Sequence, residues 1–326
     1  MISLGIESSA YVFGVGIVKE NEILADERFE FKPEKGKGMI PREASYHFSK
    51  IAKKVLENAL RKAGISIKDI DVISFTQGMG IPNNLKVGAV LARYLSLRYK
   101  KPLVGVNHAI AHIEIGKLLT NCKDPVVLYL SGGNTQIIAF AEGKYRIFGE
   151  TLDIAVGNAF DVLAREMGFG MPGGPHIERL AKSGNYVELP YVVKGMDVSF
   201  SGILTACLRL LRKGVKKEDI AFSFQETVFS MLVEATERAV AQLGKNEVLA
   251  VGGVASNKRL KEMLEIMCKE RGAKAYVVPK KYARDNGVMI AWTGLLAFKS
   301  GYKTEIKESF IRPRWRVEEV KVTWLN

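Results

Sequence analysis

The chain has 326 residues, with 48 Lys and Arg against 35 Asp and Glu, a net charge of +13 and 47% hydrophobic residues. That length suits about two compact domains, and the composition excludes disorder and collagen-like repetition. No apolar run reaches the roughly 18 residues of a spanning helix, and Cys122, Cys207 and Cys268 form no Cys-x-x-Cys pair, so a cytoplasmic protein with reduced thiols, no membrane contact and no thiolate zinc site is expected.

In chain order, the hydrophobic alternation predicts a strand over Ile2 to Gly5, a polar turn at Glu7-Ser8-Ser9, a strand over Val12 to Val18, a tight turn and a strand over Ile23 to Phe31. Next come a strand over Val72 to Phe75, a Gly-rich loop, a helix around Leu85 to Arg98, a strand over Leu103 to Val106 and a helix over Ala109 to Leu119. The same plan returns. Val126 to Leu130, the turn Ser131-Gly132-Gly133-Asn134, Thr135 to Phe140 and Tyr145 to Thr151 make a second meander. Val248 to Val251, the turn Gly252-Gly253, a helix over Lys258 to Arg271, a strand over Ala275 to Val278 and a helix over Gly287 to Phe298 follow it. Such a duplication predicts two similar α/β halves meeting near Leu119 to Pro125, with ligands in a cleft where the strand-end turns gather. The basic tail after Ser300 has no destination legible in its pattern.

Four motifs carry chemistry. His108 and His112, in His-Ala-Ile-Ala-His, stand four apart on a predicted helix, one turn apart on one face, where a divalent cation can take both; two satisfied core histidines are the plainer alternative. Aligning Gly116 with Gly294 in the repeat sets Asn107 on Asp285 and His108 on Asn286, which brings Asp285 toward the same cleft from the other half. The Glu that follows the first His of a zincin peptidase is missing, which disfavours peptide hydrolysis.

Ser131-Gly132-Gly133 and Gly252-Gly253, with Ser256 and Asn257, place glycine turns at strand ends, where backbone N–H groups approach phosphate, although each pair alone is also an ordinary turn. Pro172-Gly173-Gly174-Pro175 opens a helix bearing Glu178, and Asp161 lies on the helix before it; acidic groups there are either solvated or accept ribose hydroxyls. No Walker A pattern occurs. Arg312-Pro313-Arg314-Trp315-Arg316 reads either as a surface for phosphates and stacked bases, supplemented by Arg42, Arg98, Lys100 and Lys101, or as a tail packed by its indole.

Nearly the whole chain resembles one family, on Pro41-Arg42-Glu43-Ala44, Lys86-Val87-Gly88-Ala89, the run from Lys101 to His112, Ser131-Gly132-Gly133-Asn134-Thr135-Gln136 and Phe148-Gly149-Glu150-Thr151-Leu152-Asp153. Pro172-Gly173-Gly174-Pro175, Asp197-Val198-Ser199-Phe200-Ser201-Gly202, Gln225-Glu226-Thr227-Val228-Phe229 and Gly252-Gly253-Val254-Ala255-Ser256-Asn257 extend the match. The family is that of the universal tRNA threonylcarbamoyladenosine transferases, in the archaeal and eukaryotic form that is the catalytic subunit of the KEOPS complex.

The resemblance implies an α/β fold of duplicated ribonuclease-H-like domains, of the actin, Hsp70 and sugar-kinase type, around a central nucleotide cleft. The expected domains are 1–120, 121–300 with the nucleotide pocket, and a basic tail, 301–326. It further implies that His108, His112, Asp285 and the Tyr129 phenol hold a metal, iron or zinc. Tyr129, Leu130, Ser131, Gly132, Gly133, Asp161, Gly174, Glu178, Gly252, Gly253 and Asn257 are expected to bind an adenine nucleotide or threonylcarbamoyl-adenylate. The implied partners are tRNA and the KEOPS subunits: a small atypical protein kinase, a dimerising subunit and further tRNA-binding subunits. Glu7-Ser8-Ser9-Ala10-Tyr11 lacks both the Cys-Asp of bacterial members and the Gly-Thr usual in archaeal ones, and Arg284 stands where a small residue is commoner; no catalytic base is assigned. A metallopeptidase, a small-molecule kinase and a nucleotide-binding scaffold of the same fold are the alternatives.

Overall fold

The computed structural model describes residues 1–32 and 40–325. Their strands and helices are, in order, β1 (Ile2–Glu7), β2 (Val12–Lys19), β3 (Glu22–Glu30), α1 (Pro41–Ala63), β4 (Val72–Gly78), α2 (Pro82–Tyr99), β5 (Leu103–Asn107), α3 (His108–Thr120), β6 (Val126–Leu130), β7 (Thr135–Ala141), β8 (Lys144–Glu150), α4 (Val156–Glu166), α5 (Gly174–Leu180), β9 (Val193–Lys194), β10 (Asp197–Val198), α6 (Ser201–Arg212), α7 (Lys217–Leu243), β11 (Glu247–Val251), α8 (Lys258–Glu270), β12 (Lys274–Val277), α9 (Lys280–Ala283) and α10 (Gly287–Lys299). They form two compact units: residues 1–118, 142–145 and 284–326, and residues 119–141 and 146–283.

In the first unit the sheet runs β3-β2-β1-β4-β5; β1 pairs antiparallel with β2 and parallel with β4. β4 and β5 are buried throughout, which suits parallel strands covered on both faces. α1 turns Ala44, Phe48, Ala52, Val55, Leu56 and Ala59 inward at helical spacing and stops at Gly64, whose φ of 66° is left-handed. In the second unit the sheet runs β12-β11-β6-β7-β8, so read from its meander it has the same order as the first. The repeat legible in the sequence is therefore a repeat of topology. The core of this unit is built by α4, α6 and α7, with Phe160 packed edge-on to Phe224 at 5.0 Å between ring centroids.

The observed units differ from the expected domains: residues 142–145, expected within 121–300, cluster with the first unit. Residues 284–299, also expected within 121–300, do the same, and so does the tail. The reason lies in α10: a Cβ built on Gly287 would stand 2.1 Å from the Gly16 nitrogen, and one on Gly294 would stand 1.8 Å from the Ser74 hydroxyl. Glycines on both partners let the helix lie directly on the strands. The tail follows it: the Arg312 amide donates to the Gln77 carbonyl (2.7 Å), Asn107 Nδ2 to the Trp315 carbonyl (2.9 Å) and Trp324 Nε1 to Glu114 Oε1 (3.0 Å). Trp315 is buried, with the Arg312 guanidinium 4.3 Å from its ring centroid. The indole belongs to the core of this unit and offers no face to a base; Arg314 and Arg316 remain exposed.

All three cysteines are buried and stand outside any disulfide. Burial pushes the Cys207 thiol up to about 12 and Cys268 up to about 11, which leaves neither of these two as a thiolate at neutral pH.

The start of α6 shows a cap imported from elsewhere in the chain. Asp153 accepts hydrogen bonds from the Phe200 and Ser201 amides (2.9 and 3.0 Å) and from the Ser199 and Ser201 hydroxyls. Burial works to raise its pKa, but these donors outweigh that and hold it well below the ordinary 3.8. Its stabilisation is full above pH 3.8, the unfolded-state value, and is lost as pH falls from there through the far lower folded-state value. Asp153→Ala is expected to cost about 1–2 kcal/mol at pH 7, with the gap between the two thermal melts starting to narrow only below pH 3.8 and closing as pH approaches the much lower folded-state value.

Candidate functional site

α3 begins where β5 ends, and Asn107 is its cap: Oδ1 accepts from the Ala109 and Ile110 amides at 3.0 and 3.2 Å. The cap fixes the first turn, so His108 and His112 project from successive turns with ring centroids 4.8 Å apart. On α10 the same role falls to Asn286, whose Oδ1 accepts from the Met289 amide at 2.9 Å. By capping, Asn107 therefore matches Asn286 rather than Asp285, a shift of one residue from the alignment on Gly116 and Gly294. Asp285 reaches the histidines because it precedes this cap, and it does so within the first unit, not from the other half as the repeat implied.

Asp285 Oδ1 lies 3.5 Å from His108 Nε2 and 3.3 Å from His112 Nε2. One ligand atom from each of the three lies within 4.8 Å of the others. Both histidines are buried and Asp285 is partly so. Burial depresses the His112 pKa, against the pull of Asp285, which favours the neutral imidazole. Asp285 responds oppositely: burial would raise it, but the neighbouring His108 and the hydrogen bonds from both histidines hold it well below the usual range. Two imidazole nitrogens and one carboxylate oxygen, converging in a buried place, form a donor set suited to iron or zinc. The loop is held from β3, where Arg28 Nη1 donates to the Asp285 carbonyl at 3.3 Å and Arg284 pairs with Glu30.

The other expected site residues belong to the second unit. Tyr129 and Leu130 end β6, wholly buried. β6 runs parallel to β11, with Tyr129 opposite Val251, so the Ser131 and Gly252 turns leave adjacent strand ends on the same side, where open α/β sheets hold ligands. In the first turn the Ser131 hydroxyl accepts from the Gly133 and Asn134 amides at 3.3 and 3.0 Å. A Cβ on Gly132 or Gly133 would meet nothing within 4 Å. Internal packing does not demand these glycines, and the open space is what a phosphate needs. Gly252 is different: its φ is 91° and a Cβ would sit 2.2 Å from the Leu130 carbonyl oxygen, so the fold requires it, and exposed Gly253 follows.

Asp161 accepts from the Gly173 amide at 2.6 Å, one residue before Gly174 opens α5, and Glu178 on α5 accepts from the Lys258 amide at 2.9 Å. Asn257 spends its side chain on structure: Oδ1 caps α8 through the Arg259 and Leu260 amides, and Nδ2 donates to Gln225 Oε1 at 2.9 Å. These bonds tie α4, α5, α7 and α8 to one end of the sheet.

Two residues that carry no role in the sequence reading matter here. Gln225, seen there only within the Gln225 to Phe229 match, orients Asn257 from the buried face of a long helix. Glu7, read as part of a polar turn and of a loop that departs from the family pattern, is fully buried beside His108.

The family model TsaD, tRNA N6-adenosine threonylcarbamoyltransferase, matches residues 22–292. A Thermococcus sibiricus protein of that name is 55% identical over 99% of this chain and 100% of its own length. A Methanobrevibacter smithii protein called a probable bifunctional tRNA threonylcarbamoyladenosine biosynthesis protein is 52% identical, with this chain covering 61% of it. Among solved structures, HypF of T. kodakarensis superposes with a TM-score of 0.64 at 15% identity, over 95% of this chain and 50% of that one. That likeness shows the fold alone, the α/β ATPase fold of actin, Hsp70 and the sugar kinases. The profile and the full-length identity show more: the chain belongs to the tRNA N6-adenosine threonylcarbamoyltransferases.

Proposed function

We propose that this transferase moves the threonylcarbamoyl group from threonylcarbamoyl-adenylate to N6 of the adenosine next to the anticodon in ANN-decoding tRNAs, releasing AMP, in the cytoplasm and within a KEOPS-type complex. The observation that carries the site assignment is the convergence of His108, His112 and Asp285. These three would hold the divalent cation, iron or zinc. When bound, the cation supplies a Lewis acid and a template for the donor.

The chain's own residues do the rest. The open Ser131 to Gly133 turn and the Gly252-Gly253 turn receive the donor's phosphate, where backbone amides oppose the charge left on departing AMP. Asp161 and Glu178 border the ribose, Gly174 lets the nucleotide approach α5, and Asn257 frames the base, held by Gln225. Exclusion of water and fixed placement of the carbamoyl carbon favour attack by adenosine N6 over hydrolysis. Position 109 is alanine, so no carboxylate follows the first histidine to serve a peptidase.

The charge of +13 supports tRNA capture, with affinity falling steeply as salt rises. Val90, Tyr94 and Leu97 form an exposed apolar stripe on α2, and such a stripe supports association with the kinase, dimerising and tRNA-binding subunits. The test is incorporation of labelled threonine into unmodified tRNA, given bicarbonate, ATP and a donor synthase, with and without the partner subunits. Wild type is expected to label tRNA and His108→Ala to fall to background. No label from wild type with every partner present would overturn the proposal.

A further inference from the structure

Glu7 is the last residue of β1, the central strand of the first sheet, and its side chain is wholly out of solvent. Burying a carboxylate there is costly unless donors surround it. They do. The Ser9 amide donates to Oε1 at 2.5 Å, Thr76 Oγ1 on the neighbouring β4 donates to Oε2 at 2.7 Å, and His108 Nδ1 lies 3.0 Å from the same Oε2. The other ring nitrogen of His108, Nε2, is the one near Asp285. The imidazole therefore has Glu7 on one edge and the cluster on the other. Glu7 is not among the grouped ligand atoms, because the ring stands between it and them.

We propose that Glu7 is the positioning residue of this centre: it accepts the Nδ1–H of His108, fixes the tautomer with the lone pair on Nε2, and aims that lone pair at the place shared with His112 and Asp285. The arrangement requires no contact between Glu7 and substrate. It rests on the metal reading above and deepens it. A carboxylate behind a ligating imidazole sets ring orientation and raises ligand basicity, and its loss elsewhere typically weakens metal binding by about 10–100-fold. Three features of the chain serve this one bond. β1 and β4 are in register here, Ile6 opposite Phe75, so Thr76 stands beside Glu7 and holds it against rotation. The turn after β1 folds the Ser9 amide back onto the free oxygen. The Asn107 cap places His108 in the first turn of α3, within reach of the strand end.

Two measurements test the proposal. In wild-type protein free of metal and labelled with 15N-histidine, above the pH at which imidazole protonates, His108 is expected as the Nδ1–H tautomer; finding Nε2–H overturns the proposal, whatever any variant does. In competition against a chromophoric chelator, Glu7→Gln is expected to bind zinc about 10–100-fold more weakly while its metal-free melting curve still shows a cooperative fold. Thr76→Val, which keeps the carboxylate and removes its support, is expected to show a smaller loss of the same kind. Wild-type zinc affinity in Glu7→Gln overturns the positioning role. His112→Ala serves as the reference: zinc affinity unchanged in that variant as well sinks the metal reading itself, so the two failures are distinguishable.

Discussion

Asp285→Ala is expected to abolish zinc or iron binding in practice, lowering affinity by more than about 100-fold, and to bring threonylcarbamoyl transfer to background while tRNA binding persists. Loss of a supporting carboxylate typically costs about 10–100-fold, and Asp285 is placed to be a ligand itself, the one anion among the grouped donors. Removing it leaves two imidazoles 4.8 Å apart between ring centroids and takes away the anion that favours a cation there. The fold is expected to survive, because the backbone around position 285 is held independently: Arg28 grips the carbonyl, Asn286 caps α10 and Asn286 Nδ2 donates to the Arg284 carbonyl at 2.8 Å. Chelator competition and the labelled-threonine assay read the two effects separately. Full transfer by Asp285→Ala would remove any catalytic part for the centre.

What could be read from the sequence follows how local each signal is. His108 and His112 declare themselves because i, i+4 spacing on a helix needs no knowledge of the rest of the fold. The two meanders and their glycine turns were legible for the same reason, and the structure gives both sheets one topology. Asp285 was reached only through the repeat and the family resemblance, and the repeat misplaced its unit: a helical period shows that α10 is buried, not which sheet it lies on. Asn257 had a legible cap signal, a short polar residue just ahead of a helix, and its side chain is indeed committed there. Glu7 was illegible because a carboxylate after a strand reads as a turn; only the tertiary meeting of β1, β4 and α3 makes it buried and useful. Trp315 shows the converse. Arginines around an indole suit a nucleic-acid surface equally well, and burial, which pattern does not reveal, decides against it.

The packing of α10 yields the largest expected effect on stability. Gly5→Ala is expected to unfold the first unit, or to lower its melting temperature by more than about 10 °C, while Gly132→Ala leaves melting unchanged. A Cβ on Gly5 would stand 2.1 Å from the Ala291 nitrogen and 2.4 Å from the Gly287 carbonyl oxygen, both backbone atoms that cannot rotate away. The helix must therefore lift from β1 by more than an ångström. Most of α10 is buried, including Val288, Met289, Ile290, Ala291 and Leu295, so that lift strips contacts along its length and costs about 3 kcal/mol or more. Such a cost is a large part of the roughly 5–15 kcal/mol that holds a typical domain together, and about 1 kcal/mol moves the melting temperature of a domain this size by a few degrees. Asp285 and the Asn286 cap sit at the head of the displaced helix, so zinc binding is expected to fail together with the fold. Gly132 has open space around its missing Cβ, so its alanine variant is expected to keep its melting curve and lose nucleotide affinity instead. Differential scanning calorimetry on the two variants separates a glycine kept for packing from one kept for a ligand; equal, wild-type melting in both would refute the close packing of α10 on β1.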